Sequence, residues 1–226
     1  MEAIRALEHV LAARPNSERA HNRMSGICYH IGRLAEARTA HERGRLGNPQ
    51  TRSSNLEFFY LYSGDFARAE ETIEAWFRER PGNMYPLAAR IIPPLMSGNL
   101  ELAEQRVATA LAQIPNEPFV ISLHGMLYAR RGQTDLARQC VQRALASPRS
   151  MGHTHHIYYY IACIHAVLGE PDEAMAWLER SVDAGWACWP FFRMDPYLEP
   201  LRDEPAFKRL VAELEQTYTA LEIQRL

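Results

Sequence analysis

Glycine recurs along this chain at a nearly constant interval. It stands at Gly32, Gly64, Gly98, Gly132 and Gly169, in steps of 32, 34, 34 and 37 residues. Five residues after each comes an alanine, Ala37, Ala69, Ala103, Ala137 and Ala174, and Ala3 extends the series backwards. Four residues past the alanines stand Leu7, Ile73, Val107, Val141 and Leu178, with His41 as the exception. Twelve past the first four come Pro15, Pro49, Pro81 and Pro115, and Pro148 arrives one place early in the next unit. A period this long argues against one compact core. Each unit must bury its apolar face against the next.

The spacing has a direct physical reading. Offsets of three, four and seven put residues on one face of an α-helix. An alanine there lets a neighbouring helix approach closely, and the large apolar residue fills the space beside it. The glycine ends the preceding helix in a left-handed cap that side chains resist. Asp65, Asn99 and Thr134 follow such glycines and are placed to cap the next helix. Each unit is therefore helix, tight turn, helix, turn. Two irregularities stand out. Pro93 and Pro94 fall late in a first helix, where proline costs about 3 kcal/mol or more, so that helix is expected to kink or end near Ile92. The surplus around Ser150 to His156 is expected to be a longer loop.

This pattern resembles the tetratricopeptide repeat over about residues 1–185. Tyr60 and Tyr128 stand four before their glycines as in that family, whereas Cys28, Pro94 and His165 depart from it. The resemblance implies an all-α fold, a right-handed superhelix (α-solenoid) of antiparallel helix pairs. The expected division is a half repeat at 1–16, repeats at about 17–49, 50–83, 84–117, 118–151 and 152–185, and a C-terminal cap at 186–226. The half repeat reads as a second helix without its first, leaving Leu7, Val10 and Leu11 uncovered. That suggests a longer parent chain, or a homodimer. At the other end Phe207, Leu210, Val211, Leu214, Tyr218 and Leu221 share one face of a capping helix. The run from Tyr158 to Gly185, with Asp195 to Phe207, resembles a terminal module of repeat arrays in bacterial signalling proteins. Such arrays follow a kinase, cyclase or winged-helix domain, so a regulatory module is the alternative reading.

The chemistry visible in the sequence is sparse. The formal net charge of −2 argues against a nucleic-acid module. The longest apolar stretch, Ile157 to Leu168, is too short to span a bilayer, and no secretory leader pattern opens the chain, so a cytoplasmic protein without a membrane partner is expected. Cys28, Cys140, Cys163 and Cys188 form no C-x-x-C pair and read as core thiols. His153, His155 and His156 cluster, but with no cysteine or carboxylate at ligand spacing. A polar loop or helix start is the reading, with no metal and no cofactor. His165 reads as a hydrogen-bonded core histidine. Phosphate-binding, nucleophile-elbow and zinc-protease motifs are all missing, so no catalytic residue is assigned and a non-enzyme is expected.

By resemblance, the first helices line a concave groove. That register assigns Arg23, Tyr29, His30, Asn55, Phe58, Tyr62, Tyr85, Ile92, Met96, Phe119, Met126, Arg130, Tyr159 and Tyr160 to it. The set is aromatic and aliphatic, with its two arginines far apart. The clustered lysine, asparagine and arginine of family members that clamp a peptide carboxylate are missing. An apolar groove suits a peptide or an amphipathic helix of a protein partner, unless the chain fills it with its own residues. If the groove is open, replacing Tyr62, Met126 and Tyr159 removes binding and leaves the fold intact. The expected function is a protein-interaction scaffold.

Overall fold

The structure is a computed structural model, and it describes residues 2–47, 56–80, 82–147 and 153–223. Among these residues every regular element is helical. They are α1 (Glu2–Ala13), α2 (Glu18–His30), α3 (Leu34–Gly47), α4 (Leu56–Tyr62), α5 (Phe66–Glu79), α6 (Met84–Ala89), α7 (Ile92–Ser97), α8 (Leu100–Gln113), α9 (Pro118–Arg130), α10 (Thr134–Ala146), α11 (Thr154–Val167), α12 (Pro171–Asp183), α13 (Trp189–Met194) and α14 (Pro205–Thr219), with a 3-10 turn at Glu199–Leu201. Consecutive helices pack in pairs, α2 with α3, α4 with α5, α9 with α10 and α11 with α12.

The five periodic glycines make five copies of one turn. Their φ angles run from 71° at Gly132 to 82° at Gly64, in the left-handed region. The residue after each reaches back five positions. Arg33, Asp65, Asn99, Gln133 and Glu170 donate their N–H to the carbonyls of Cys28, Tyr60, Pro94, Tyr128 and His165, at 2.8–3.0 Å. Asp65 and Asn99 then cap, accepting from the N–H of Arg68 and Leu102 at 3.1 and 3.2 Å. Thr134 does not. It is the first residue of α10, and the capping position falls to Gln133, which makes no side-chain cap bond. The residue immediately after the glycine is the one half inside the next helix, and Thr134 comes one place late. All five repeat alanines are buried, as close helix packing requires.

The proline pair breaks its helix. The first helix of that unit stops at Ala89 and resumes at Ile92, with Arg90 and Ile91 between. Pro94 has no N–H for the carbonyl of Arg90, and Arg106 replaces it, donating from Nη1 at 2.6 Å. The same guanidinium pairs with Glu70 at 2.5 Å and Glu74 at 2.9 Å, and Glu74 also accepts from Arg90 at 2.6 Å. A charged group thus replaces the hydrogen bond that proline removed.

The ends differ from expectation in two places. Leu11 is buried and Leu7 half-buried, leaving Val10 at 43 % exposure as the uncovered part of the α1 face. The surplus loop is shorter than expected, because Thr154 to His156 already belong to α11; residues 148–152 lie outside the described residues. In α14 Phe207, Val211 and Leu214 are buried. Arg33 reaches from the first repeat to donate from Nη1 to the carbonyls of Tyr218 and Leu221, both at 2.6 Å, so a cation sits on the final turn of the last helix. All four cysteines are buried and free, and burial pushes the thiols of Cys28 and Cys188 up to about 12.

Two predictions follow from these turns and this ion cluster. Gly32 and Gly98 share the left-handed φ, but a Cβ on Gly32 would meet Pro190 Cδ at 2.6 Å, whereas one on Gly98 meets nothing within 4 Å. Gly98→Ala is expected to cost about 1 kcal/mol, and Gly32→Ala about 1–3 kcal/mol more from overpacking, read from urea unfolding. Equal costs would contradict the close approach. Arg106→Ala leaves the Arg90 carbonyl and Glu70 without this partner and Glu74 with Arg90 alone, and is expected to lower stability by about 3 kcal/mol; a loss under about 0.5 kcal/mol would show the network to be incidental.

Candidate functional site

The concave face is built by α2, α4, α6, α7, α9 and α11. An aromatic series runs along it, with stacked and edge-to-face pairs alternating. Tyr29 meets Phe58 at 5.8 Å between ring centres, Phe58 meets Tyr85 at 6.1 Å, Tyr85 meets Phe119 at 5.9 Å, and Phe119 meets Tyr160 at 5.5 Å. These spacings lie in the favourable range for aromatic pairs.

Much of this face is covered by the chain itself. After α12 the backbone turns at Gly185 and crosses the groove. The ring of Trp186 lies 4.6 Å from that of Tyr62 and 5.9 Å from that of Tyr159. Phe191 lies 5.1 Å from Tyr62, and Phe192 5.5 Å from Tyr159. The Ala187 N–H donates to the His30 carbonyl at 2.8 Å, and the Tyr197 hydroxyl donates to the Leu95 carbonyl at 3.4 Å. The close packing of Gly32 under Pro190 and of Gly64 under Met194 completes the crossing. Residues 186–201 therefore act as an internal ligand as well as part of a cap.

This decides where the expected groove residues stand. Tyr29, Phe58, Tyr62, Ile92, Met96, Phe119, Met126, Tyr159 and Tyr160 are buried. Replacing Tyr62, Met126 and Tyr159 together is thus a change to the core, and intact folding is not expected of it. Arg130 is exposed and lies over the Tyr197 ring at 5.2 Å. Arg23 is exposed, while Tyr85 and His30 are half-buried. Asn55 lies outside the described residues. The sequence did not assign Trp186, Phe191, Phe192 and Tyr197 to this face; their aromatic density just after the last repeat was the available signal.

What stays open is a cleft of about 850 Å³ at the N-terminal end. Glu18, Arg19, Asn22, Arg23, Tyr29, His30, Phe58, Trp76, Tyr85, His153, His155 and Gly185 are among its lining residues. Five of the expected groove residues, Arg23, Tyr29, His30, Phe58 and Tyr85, come together there. So do two histidines read from sequence as an unrelated polar cluster. Burial drives the imidazole of His30 down to about 3, and that of His155 to about 4, so both rings are neutral at physiological pH. His165 sits elsewhere, at the α11–α12 corner, hydrogen-bonded to Glu170 at 2.5 Å.

Asp195 anchors the crossing segment. It is fully buried, accepts from the Tyr159 hydroxyl, and accepts the Tyr197 N–H at 2.7 Å. Arg202 donates to its backbone carbonyl at 3.2 Å. Burial outweighs these donors and the nearby Arg202 and Arg130, and lifts the carboxyl from 3.8 to about 6. The folded state therefore holds this proton more tightly than the unfolded state. The contribution favours folding most below the unfolded value of 3.8, and is lost as pH rises through about 6, by about 3 kcal/mol in all. Asp195→Asn has no such proton. From pH 4 to pH 7, urea unfolding is expected to move the stability difference by about 2 kcal/mol in favour of the variant; a difference constant with pH would contradict the buried carboxyl.

Comparison with known proteins places this geometry. A tetratricopeptide-repeat family model matches residues 1–49 and 123–187, just over half of the chain. Among solved structures the chain is similar to the crystal structure of the APC/C hetero-tetramer Cut9–Hcn1, with a TM-score of 0.60 and 12 % identity. That match covers 94 % of this chain and 45 % of the other, so the chain spans under half the length of the structure it resembles. The likeness is one of fold. No curated protein matches the chain in sequence. Among the described residues, no helix is long and apolar enough to cross a membrane. Repeated helix pairs, glycine turns and buried repeat alanines agree with the family match: the chain belongs to the tetratricopeptide repeat family.

Proposed function

We propose that this chain is a protein-interaction scaffold that takes a short segment of a partner protein in the cleft at the N-terminal end of its concave face. The observation that carries this reading is the division of the groove. One part is filled by residues 186–201, and the other is open, with an aromatic floor of Tyr29, Phe58, Trp76 and Tyr85 under a charged rim of Glu18, Arg19 and Arg23. Aromatic floors with polar rims suit peptide anchors, because one buried side chain supplies most of the energy and the rim sets orientation. Size restricts the guest. A helix about 10–12 Å across would fill 850 Å³ in about two turns at most. A short extended peptide with one aromatic or aliphatic anchor is the better fit. Tetratricopeptide repeats support a binding role in general, and no step of this reading needs a catalytic group.

The test is selection of a displayed random-peptide library on the intact chain. Selected peptides are expected to carry an apolar anchor. They should lose about tenfold or more in affinity on Arg23→Glu or Tyr85→Ala, and nothing on Arg143→Glu, which lies on an outer helix. Peptides indifferent to both cleft changes would move the site elsewhere.

A further inference from the structure

Four histidines meet where the fifth repeat returns to the first. His30 is the last residue of α2; His153 precedes α11, and His155 and His156 lie in its first turn. Each offers one ring nitrogen, and these four atoms all lie within 4.8 Å of one another. The six distances between ring centres run from 4.5 Å for His155–His156 to 5.9 Å for His153–His156. Four imidazoles bound tetrahedrally at about 2.0–2.1 Å place their ring centres about 5 Å apart. The six observed distances lie on both sides of that value.

The hydrogen bonds of two rings make the case independently. His30 donates from Nδ1 to the Gly26 carbonyl at 2.6 Å, and His155 donates from Nδ1 to the Ala184 carbonyl at 3.1 Å. A carbonyl can only accept, so the proton of each neutral ring is on Nδ1 and the lone pair is on Nε2. Both Nε2 atoms are buried without a hydrogen-bond partner. A buried acceptor left unsatisfied costs about 1–3 kcal/mol, so two in one cluster ask for an explanation. Metal-bound histidines show this same arrangement, one nitrogen held by a carbonyl and the other turned to the ion. His30, His153 and His155 also line the open cleft, which provides an entry path.

We propose that His30, His153, His155 and His156 bind one divalent ion of the zinc class, and that the ion pins the fifth repeat to the first. The donor set selects the ion. Imidazole nitrogens suit zinc and its transition-metal neighbours; calcium and magnesium require oxygen ligands, and the cluster contains none. Near-tetrahedral ring spacing favours zinc or cobalt over the square-planar preference of copper(II) and nickel(II). The position explains the role. The Ala187 N–H that donates to the His30 carbonyl lies beside the cluster, so an ion bridging α2 and α11 holds the crossing segment down. Three of the four ligands line the cleft, but the inference does not depend on a peptide binding there.

The experiment uses the full chain, free of any affinity tag and stripped with a chelator, titrated with Zn²⁺ against a chromophoric competitor. The expected result is one equivalent bound, with affinity at least about 100-fold weaker in the His153→Ala/His155→Ala double variant. Because His155 also holds the Ala184 carbonyl, His153→Ala is measured alone; this side chain is exposed, and the variant should fold and still bind weakly. Co²⁺ should give the visible absorption of a four-coordinate ion. Amide exchange at Ala187 should slow on zinc addition in the wild type and not in the double variant. No stoichiometric zinc in the wild type, or undiminished binding in the double variant, overturns the site. Zinc bound with unchanged Ala187 exchange overturns the pinning role.

Discussion

The docking of residues 186–201 into the concave face is the interaction on which the rest of this molecule depends. In a stack of helix pairs each unit touches only its neighbours, so nothing in the repeats themselves joins the first to the last. Here the chain supplies that join. Trp186, Phe191, Phe192 and Tyr197 are all nearly or fully buried against first helices of several repeats. Each such side chain contributes about 2–3 kcal/mol on leaving water. Arg33 closes the same seam from the other side by gripping the end of α14. Long-range closure makes the array behave more like a globular domain than an open solenoid.

Closure also divides the functional surface. An open concave groove would present the aromatic series from Tyr29 to Tyr160 as one continuous binding face. With the C-terminal segment in place, the apolar floor around Tyr62 and Tyr159 becomes core, and the N-terminal cleft is the part that stays open. The seam brings together groups that no single repeat contains. His30 and the start of α11 face one another only because the superhelix comes round, and the buried Asp195 is placed to hold Tyr159 and Tyr197 at the same crossing.

Much of the local structure was legible in the residues. The glycine series placed the five tight turns within the units, because a left-handed cap admits little else. The alanines marked the packed faces, and Pro93–Pro94 marked the broken helix. The limits of that reading are also local. Thr134 misses its cap by one residue, since the capping position is set by the glycine and not by the nearest hydroxyl. The replacement of the lost hydrogen bond by Arg106 was not visible, because Arg106 on α8 stands 16 residues from Arg90 in the helix break. Most of the expected groove residues are buried; an apolar helix face can be a site or a core, and residue type does not distinguish the two.

The amino-acid sequence by itself determined the helix pairs, their turns, and which face of each helix looks inward, because these follow from periodicity and backbone sterics over a few residues. Only the tertiary structure decided what covers that inner face and which distant residues meet. Superhelical curvature is the sum of small rotations from one repeat to the next. A slight change at each step would carry the fifth repeat past the first, leaving Trp186 without its pocket and His30 far from His153, His155 and His156.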